Sequence, residues 1–164
     1  MCASTITRTK LLTPQKAKAR FLQANDEDMG APSNCVVFVD SLTFKHTVPH
    51  QAGDKFEASS PNSPFKGKSV KECSALLKQL SEATGAFILN TTFAIFDERS
   101  LEDGSVLLVQ TVDDELEAMR AVPELVCGKL LQYMIGDSEI TEDREEAEEE
   151  EDGVFWMNED FIED

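Results

Sequence analysis

Asp97, Glu98, Asp113 and Asp114 stand at the ends of two apolar runs, residues 93–96 and 106–112. Carboxylates brought together from the ends of neighbouring strands can hold a hard cation or share acid and base work. Asp97, Asp113 and Asp114 are therefore the catalytic candidates, and the chemistry they would serve is that of a carboxylate-based, metal-dependent hydrolase. Acids at such positions also arise simply as turn formers and solubilising groups. No His, Lys or Cys falls where it would complete the site, Ser100 and Ser105 lack a nucleophile motif, and eight glycines are too sparse for a phosphate cradle.

Two other residue types are short of a site. His46 and His50 have helical spacing, but Pro49 between them and the missing third ligand speak for a loop, so no metal is expected. Cys2, Cys35, Cys73 and Cys127 lie 33, 38 and 54 residues apart, without the close pairs of a zinc site. The last three sit among apolar neighbours, as small buried hydrophobes with reduced thiols do. That fits an intracellular compartment, cytoplasm or nucleus, while a basic N-terminus without acids also allows a mitochondrial address. No cofactor is implied.

The strongest chemical signal is charge. The net charge is −17 over 164 residues, unevenly spread. Residues 1–25 hold five basic residues and no acid, residues 26–136 nine basic against seventeen acidic, and residues 137–164 one against fifteen. This balance excludes nucleic acid phosphates and anionic membrane surfaces as partners, since both need cations. No run reaches the ~18 apolar residues of a membrane span. Within the acidic stretch Glu148, Glu149, Glu150 and Glu151 run up to Phe155, Trp156 and, further on, Phe161. Acids steering toward a basic protein surface with aromatics as anchors make these the partner-binding candidates. The alternative is that Phe155 docks on the domain itself and the acid run is an insertion loop.

The elements that would position these groups follow from periodicity. Residues 1–34 read as a basic lead-in and linker, flexible apart from a short helix that Pro14 opens through Ala17, Phe21 and Leu22. Residues 35–39 are a short β-branched and aromatic run, expected as a strand buried on both faces. Ser69 and Glu72 form a capping box that starts a helix, Val70, Cys73, Leu76, Leu77 and Leu80 recur along it, and Gly85 stops it. Strands follow near 93 and 106, joined by a loop at Asp103-Gly104 short enough for a hairpin. Residues 116–122 favour a helix slightly over an edge strand, and Pro123 ends whichever forms. Leu125, Val126, Leu130, Leu131, Met134 and Ile135 make a final helical face capped by Gly136. The fold class is α/β or α+β, a small mixed sheet of three to five strands carrying two or more helices. Residues 35–136 form the domain and residues 137–164 an acidic-aromatic C-terminal segment.

The order of Phe65-Lys66-Gly67, the capped start at Ser69 and Glu72, Phe93-Ala94-Ile95-Phe96-Asp97, Val106-Leu107-Leu108-Val109, Val122-Pro123 and Asp152-Gly153-Val154-Phe155 resembles a domain family of unknown function found in bacterial and fungal proteins. The resemblance covers about residues 56–155. The family's opening strand carries Arg-Thr-Asp, and here Phe38-Val39-Asp40 keeps only the acid. It implies a fold and no activity. Function is thus expected to be a non-catalytic acidic interaction domain binding a basic protein surface, with the hydrolase, or a structural subunit of a larger assembly, as alternatives. Nothing in the chain sets its oligomeric state.

Overall fold

The computed structural model describes residues 12–32, 36–43, 45–56 and 63–156. Helix α1 (Pro14–Asp28) begins where the Thr13 hydroxyl accepts from the Lys16 amide and Pro14 presets the first turn. Helix α2 (Val70–Thr84) carries the full capping box between Ser69 and Glu72 and stops at Gly85, whose φ of 63° is the left-handed conformation glycine adopts freely. Then come β1 (Thr92–Ile95), the short α3 (Glu98–Glu102), β2 (Val106–Val112) and β3 (Glu115–Ala121). A 3-10 turn at Pro123–Leu125 leads into α4 (Val126–Ile135), followed by α5 (Ile140–Glu149) and β4 (Val154–Phe155).

The strands form one mixed sheet in the order β1-β2-β3-β4. The first three are antiparallel and β4 lies parallel to β3, pairing Val154 with Arg120 and Phe155 with Ala121. Alternation along β2 sends Val106 and Leu108 to one face and Val109 to the other. The first face packs against α1, α4 and α5 through Phe21, Leu22, Val126, Tyr133, Ile140 and Ala147. The second takes α2, whose Cys73 and Leu77 cover Phe93 and Val109. The expected fold class is thus the observed one, helices on both faces of a small mixed sheet.

Four expectations are corrected. Residues 116–121 are strand, not helix. Their composition suits a helix, but in register with β2 the segment buries Met119 and Ala121 on one face and places Leu116 and Ala118 against the other cluster, so tertiary burial overrides local propensity. The connection is the two-residue turn Asp113-Asp114, whose φ values of 49° and 67° are the left-handed pair a tight hairpin requires and aspartate tolerates. The expected strand at 35–39 is irregular over its described residues 36–39. Phe38 docks by its ring instead, 5.9 Å from Phe21, 5.5 Å from Phe96 and 5.3 Å from Phe56. Cys35 and Phe44 lie outside the described residues, as do Cys2 and the rest of residues 1–11.

The other two corrections concern boundaries. Residues 14–28 are core rather than lead-in, since Phe21 and Leu22 are fully buried. Residues 140–155 are core too, because α5 and β4 complete the same face of the sheet.

Two buried amides fix the helices on that face. Asn25, wholly buried on α1, donates to the Phe21 and Pro123 carbonyls and accepts from the Cys127 amide at 2.8 Å, so α1 caps the start of α4. Gln110 on β2 accepts from the Ile140 amide at 2.8 Å and donates to the Tyr133 carbonyl at 3.5 Å, joining the end of α4 to the beginning of α5. Each satisfies backbone groups that helix ends leave without a partner.

Asn25→Leu keeps the side-chain bulk but leaves the Cys127 amide and Pro123 carbonyl without their partner. Urea unfolding should show a loss of about 2–3 kcal/mol. Gln23→Ala, which removes only an exposed bond to Glu27 of the same helix, should stay within about 0.5 kcal/mol. An unchanged midpoint for Asn25→Leu would contradict this docking.

Candidate functional site

The sheet separates the carboxylates that were the catalytic candidates. Asp97 follows β1 beside the Leu107 end of β2, whereas Asp113 and Asp114 form the turn at the opposite end. At ~3.4 Å per residue the two positions are roughly 20 Å apart. No shared cation or acid-base pair is formed between them.

Asp97 is occupied structurally. Its Oδ1 accepts from the Ser100 amide at 3.0 Å and the Ser100 hydroxyl at 3.1 Å, closing a capping box at the start of α3, and its Oδ2 accepts from the Arg120 guanidinium. Burial pushes this carboxyl up, but Arg120 and the Ser100 bonds outweigh burial and hold it below the usual carboxylate range. Ser105 is similarly engaged, donating to Asp103 at 2.6 Å and accepting from Arg120 at 3.3 Å. Among the described residues no group of three His, Cys, Asp or Glu side chains is arranged to hold a metal ion. Cys73 and Cys127 are buried and form no disulfide with each other, and burial pushes the Cys73 thiol up.

The acidic stretch is where the structure concentrates its charge. Residues 140–149 form a helix, which corrects the expectation of an insertion loop. Ile140, Asp143 and Ala147, at helical spacing, make the inward side of α5. Asp143 is only 6% exposed. One of its oxygens accepts from the Lys129 ammonium at 2.8 Å and the other from the Tyr133 hydroxyl at 2.5 Å, both donors lying one turn apart on α4. The Lys129 ammonium also stands 4.9 Å from the centre of the Phe155 ring, a favourable cation-aromatic approach that ties β4 into the same centre. Burial first, then the Asp143 carboxylate, pushes the Tyr133 hydroxyl far above its ordinary value, so it stays a donor.

With Asp143 turned inward, Glu142, Glu145, Glu146, Glu148 and Glu149 lie exposed on the helix, and Glu150, Glu151 and Asp152 continue the exposed run. The one cation of α5, Arg144, is held by Glu117 of β3 and stands 3.8 Å from Glu148. At the far end of the run Arg99 of α3 donates to the Asp152 carbonyl at 2.8 Å, fixing the turn into β4.

The partner-binding candidates divide accordingly. Glu148, Glu149, Glu150 and Glu151 are exposed together. Phe155 is 3% exposed and belongs to the core, so it is not an anchor for a partner. Trp156 is 49% exposed at the end of β4, and Phe161 lies outside the described residues. At the other end of α5, Met134 and Ile135 of α4 are exposed as well. The centre of Lys129, Tyr133 and Asp143 was not anticipated. Its signal in the sequence is the spacing of Ile140, Asp143 and Ala147, which sets one acid on an apolar stripe. No family model, curated protein or solved structure matches the chain.

Removing one partner of the buried pair should be costly. Asp143→Leu leaves the Lys129 ammonium uncompensated and should lower unfolding stability by about 3–5 kcal/mol. The double variant Asp143→Leu/Lys129→Met should recover most of that loss. Two single-variant losses that simply add would show the pair to be uncoupled.

Proposed function

We propose that the protein is a non-catalytic interaction domain whose α5 surface binds a basic protein surface. The observation that carries this reading is the run of exposed carboxylates from Glu142 to Asp152 on a helix locked to the core through Asp143. A helix fixed in advance loses less freedom on binding than a disordered acidic tail, so more of the Coulomb attraction survives as affinity. Within α5 only Arg144 offsets the acids, and it is turned to Glu117. The half-exposed Trp156 supplies an aromatic contact beside the charge, the residue type most often energetically dominant at interfaces. The same negative surface disfavours nucleic acid and anionic headgroups as partners. Among the described residues no helix is long and apolar enough to cross a membrane.

Because Ile140, Ala147, Val154 and Phe155 are core, deleting the segment would test folding rather than binding. Surface neutralisation avoids this. The triple variant Glu145→Gln/Glu146→Gln/Glu149→Gln should fold as the parent does, since exposed substitutions change stability by only about 0.5 kcal/mol. Its affinity for core histones, used as a basic probe and measured by calorimetry, should fall about tenfold, with the parent's affinity falling similarly as salt rises from about 50 to about 200 mM. Neutralising Lys71 and Lys78 on α2 should leave binding unchanged. Equal affinity for the triple variant and the parent would overturn the proposal.

A further inference from the structure

Away from α5, three rings and a cation hold an irregular stretch against α1. The rings of Phe38, His50 and Phe56 lie 5.3–5.4 Å apart, and the Lys18 ammonium of α1 sits 5.1 Å from the Phe38 centre and 5.5 Å from the Phe56 centre. The rings touch one another and leave no gap for a foreign cation between them, so the cluster is a closure and not a ligand cage. Its directional bond is between backbone and imidazole: the Phe38 amide donates to His50 Nδ1 at 3.1 Å. A second bond, from the His50 amide to the Val36 carbonyl at 2.8 Å, ties the same two stretches together.

An imidazole that accepts at Nδ1 is neutral and carries its proton on Nε2. Protonation places a second N–H on Nδ1, pointing at the Phe38 N–H. The hydrogen bond is lost and two donors face each other. The new imidazolium also joins the Lys18 ammonium at the same pair of phenyl rings. The charged groups that face His50 are Lys18 from α1, Asp40 from the stretch after Phe38, and His46 and Asp54 from its own loop. Asp54 and Asp40 favour the imidazolium, whereas burial, Lys18 and His46 oppose it.

We propose that Phe38 and His50 form a pH-operated latch that holds residues 36–41 over α1 near neutrality and releases them in mild acid, uncovering the rings of Phe21 and Phe96. Burial is the largest influence on His50 and, with the neighbouring cations, sets its protonation below the ordinary 6.5. A histidine depressed in the closed form stabilises closure fully above about 6.5, and that contribution is lost as the pH falls below this value toward the depressed one. Phe21, now covered edge-on by Phe38, would then present an aromatic surface that neutral solution hides.

The test is a pH titration of the full chain by nuclear magnetic resonance. It follows the His50 imidazole, the Phe38 amide and the ring contact between Phe38 and Phe21. The latch requires the Phe38 amide to shift on one curve with His50, with a midpoint under 6.5, the protection of that amide relative to its intrinsic exchange rate at each pH to fall about tenfold, and the contact between the rings to vanish. His50→Gln offers a carbonyl acceptor that does not titrate and should keep the amide and the ring contact fixed over the same range, while His46→Gln, which removes one of the lesser influences opposing the imidazolium, should keep the two curves coincident and move their shared midpoint slightly upward. A Phe38 amide that stays put while His50 titrates would overturn the latch. So would a response that persists in His50→Gln, or a ring contact that survives below the midpoint. Should His50→Gln fail to fold, the coincidence of the curves and the loss of the ring contact in the parent chain decide alone.

Discussion

A helix with six carboxylates stays on an apolar sheet only if the acid that falls on its inward side is neutralised there. Asp143 is that acid, and Lys129 and Tyr133 are arranged one turn apart on α4 so that each of its oxygens has a donor. An unpaired buried carboxylate would cost far more than the burial of Ile140 and Ala147 returns. With the pair in place, α5 covers one edge of the sheet, and Val154 and Phe155 add the short parallel strand beyond it. The acidity outside and the buried charge inside therefore belong to one design, since every remaining carboxylate of α5 is directed to water by the one that is not.

The same logic of satisfied polar groups recurs across that face. Asn25 supplies an acceptor to α4 where the chain leaves the 3-10 turn, and Gln110 supplies one to the start of α5. Neither helix has a side-chain cap of its own. Their starts depend instead on residues 102 and 30 positions earlier in the chain, so α1, β2, α4 and α5 are coupled. A rigid, pre-arranged acidic surface follows from that coupling, which is what the proposed interaction needs.

Much of this was legible in the residues, where local chemistry and burial agree. The box at Ser69 and Glu72, the stop at Gly85, the apolar strands near 93 and 106 and the cap at Gly136 all stand as the pattern implies. Misjudgement came where long-range burial decides. Glu-Leu-Glu-Ala-Met-Arg-Ala has a helical composition but is held as β3 by β2 on one side and β4 on the other. The run after Cys35 has a strand's composition, yet Phe38 found aromatic partners on α1 and after β1 before any ladder. Helix α1 looked basic and loose because its charges are easily counted, whereas the two residues that bury it, Phe21 and Leu22, weigh little in composition. At the candidate surface, the exposed glutamates and Trp156 were readable as such. Phe155 carries both readings in the sequence, since nothing local distinguishes a buried aromatic from one that waits for a partner, and the structure bears out the one in which it docks on the domain.

Whether α5 is part of the fold or an acidic tail that happens to rest on it is decided most directly by native-state hydrogen exchange of its backbone amides. If the buried centre holds the helix, the amides of residues 144–149 exchange only through an opening nearly as costly as that of β3, and slow together with it. Exchange of those amides at the rate of an unstructured chain, with β3 still protected, would contradict the structural basis proposed here for the acidic surface.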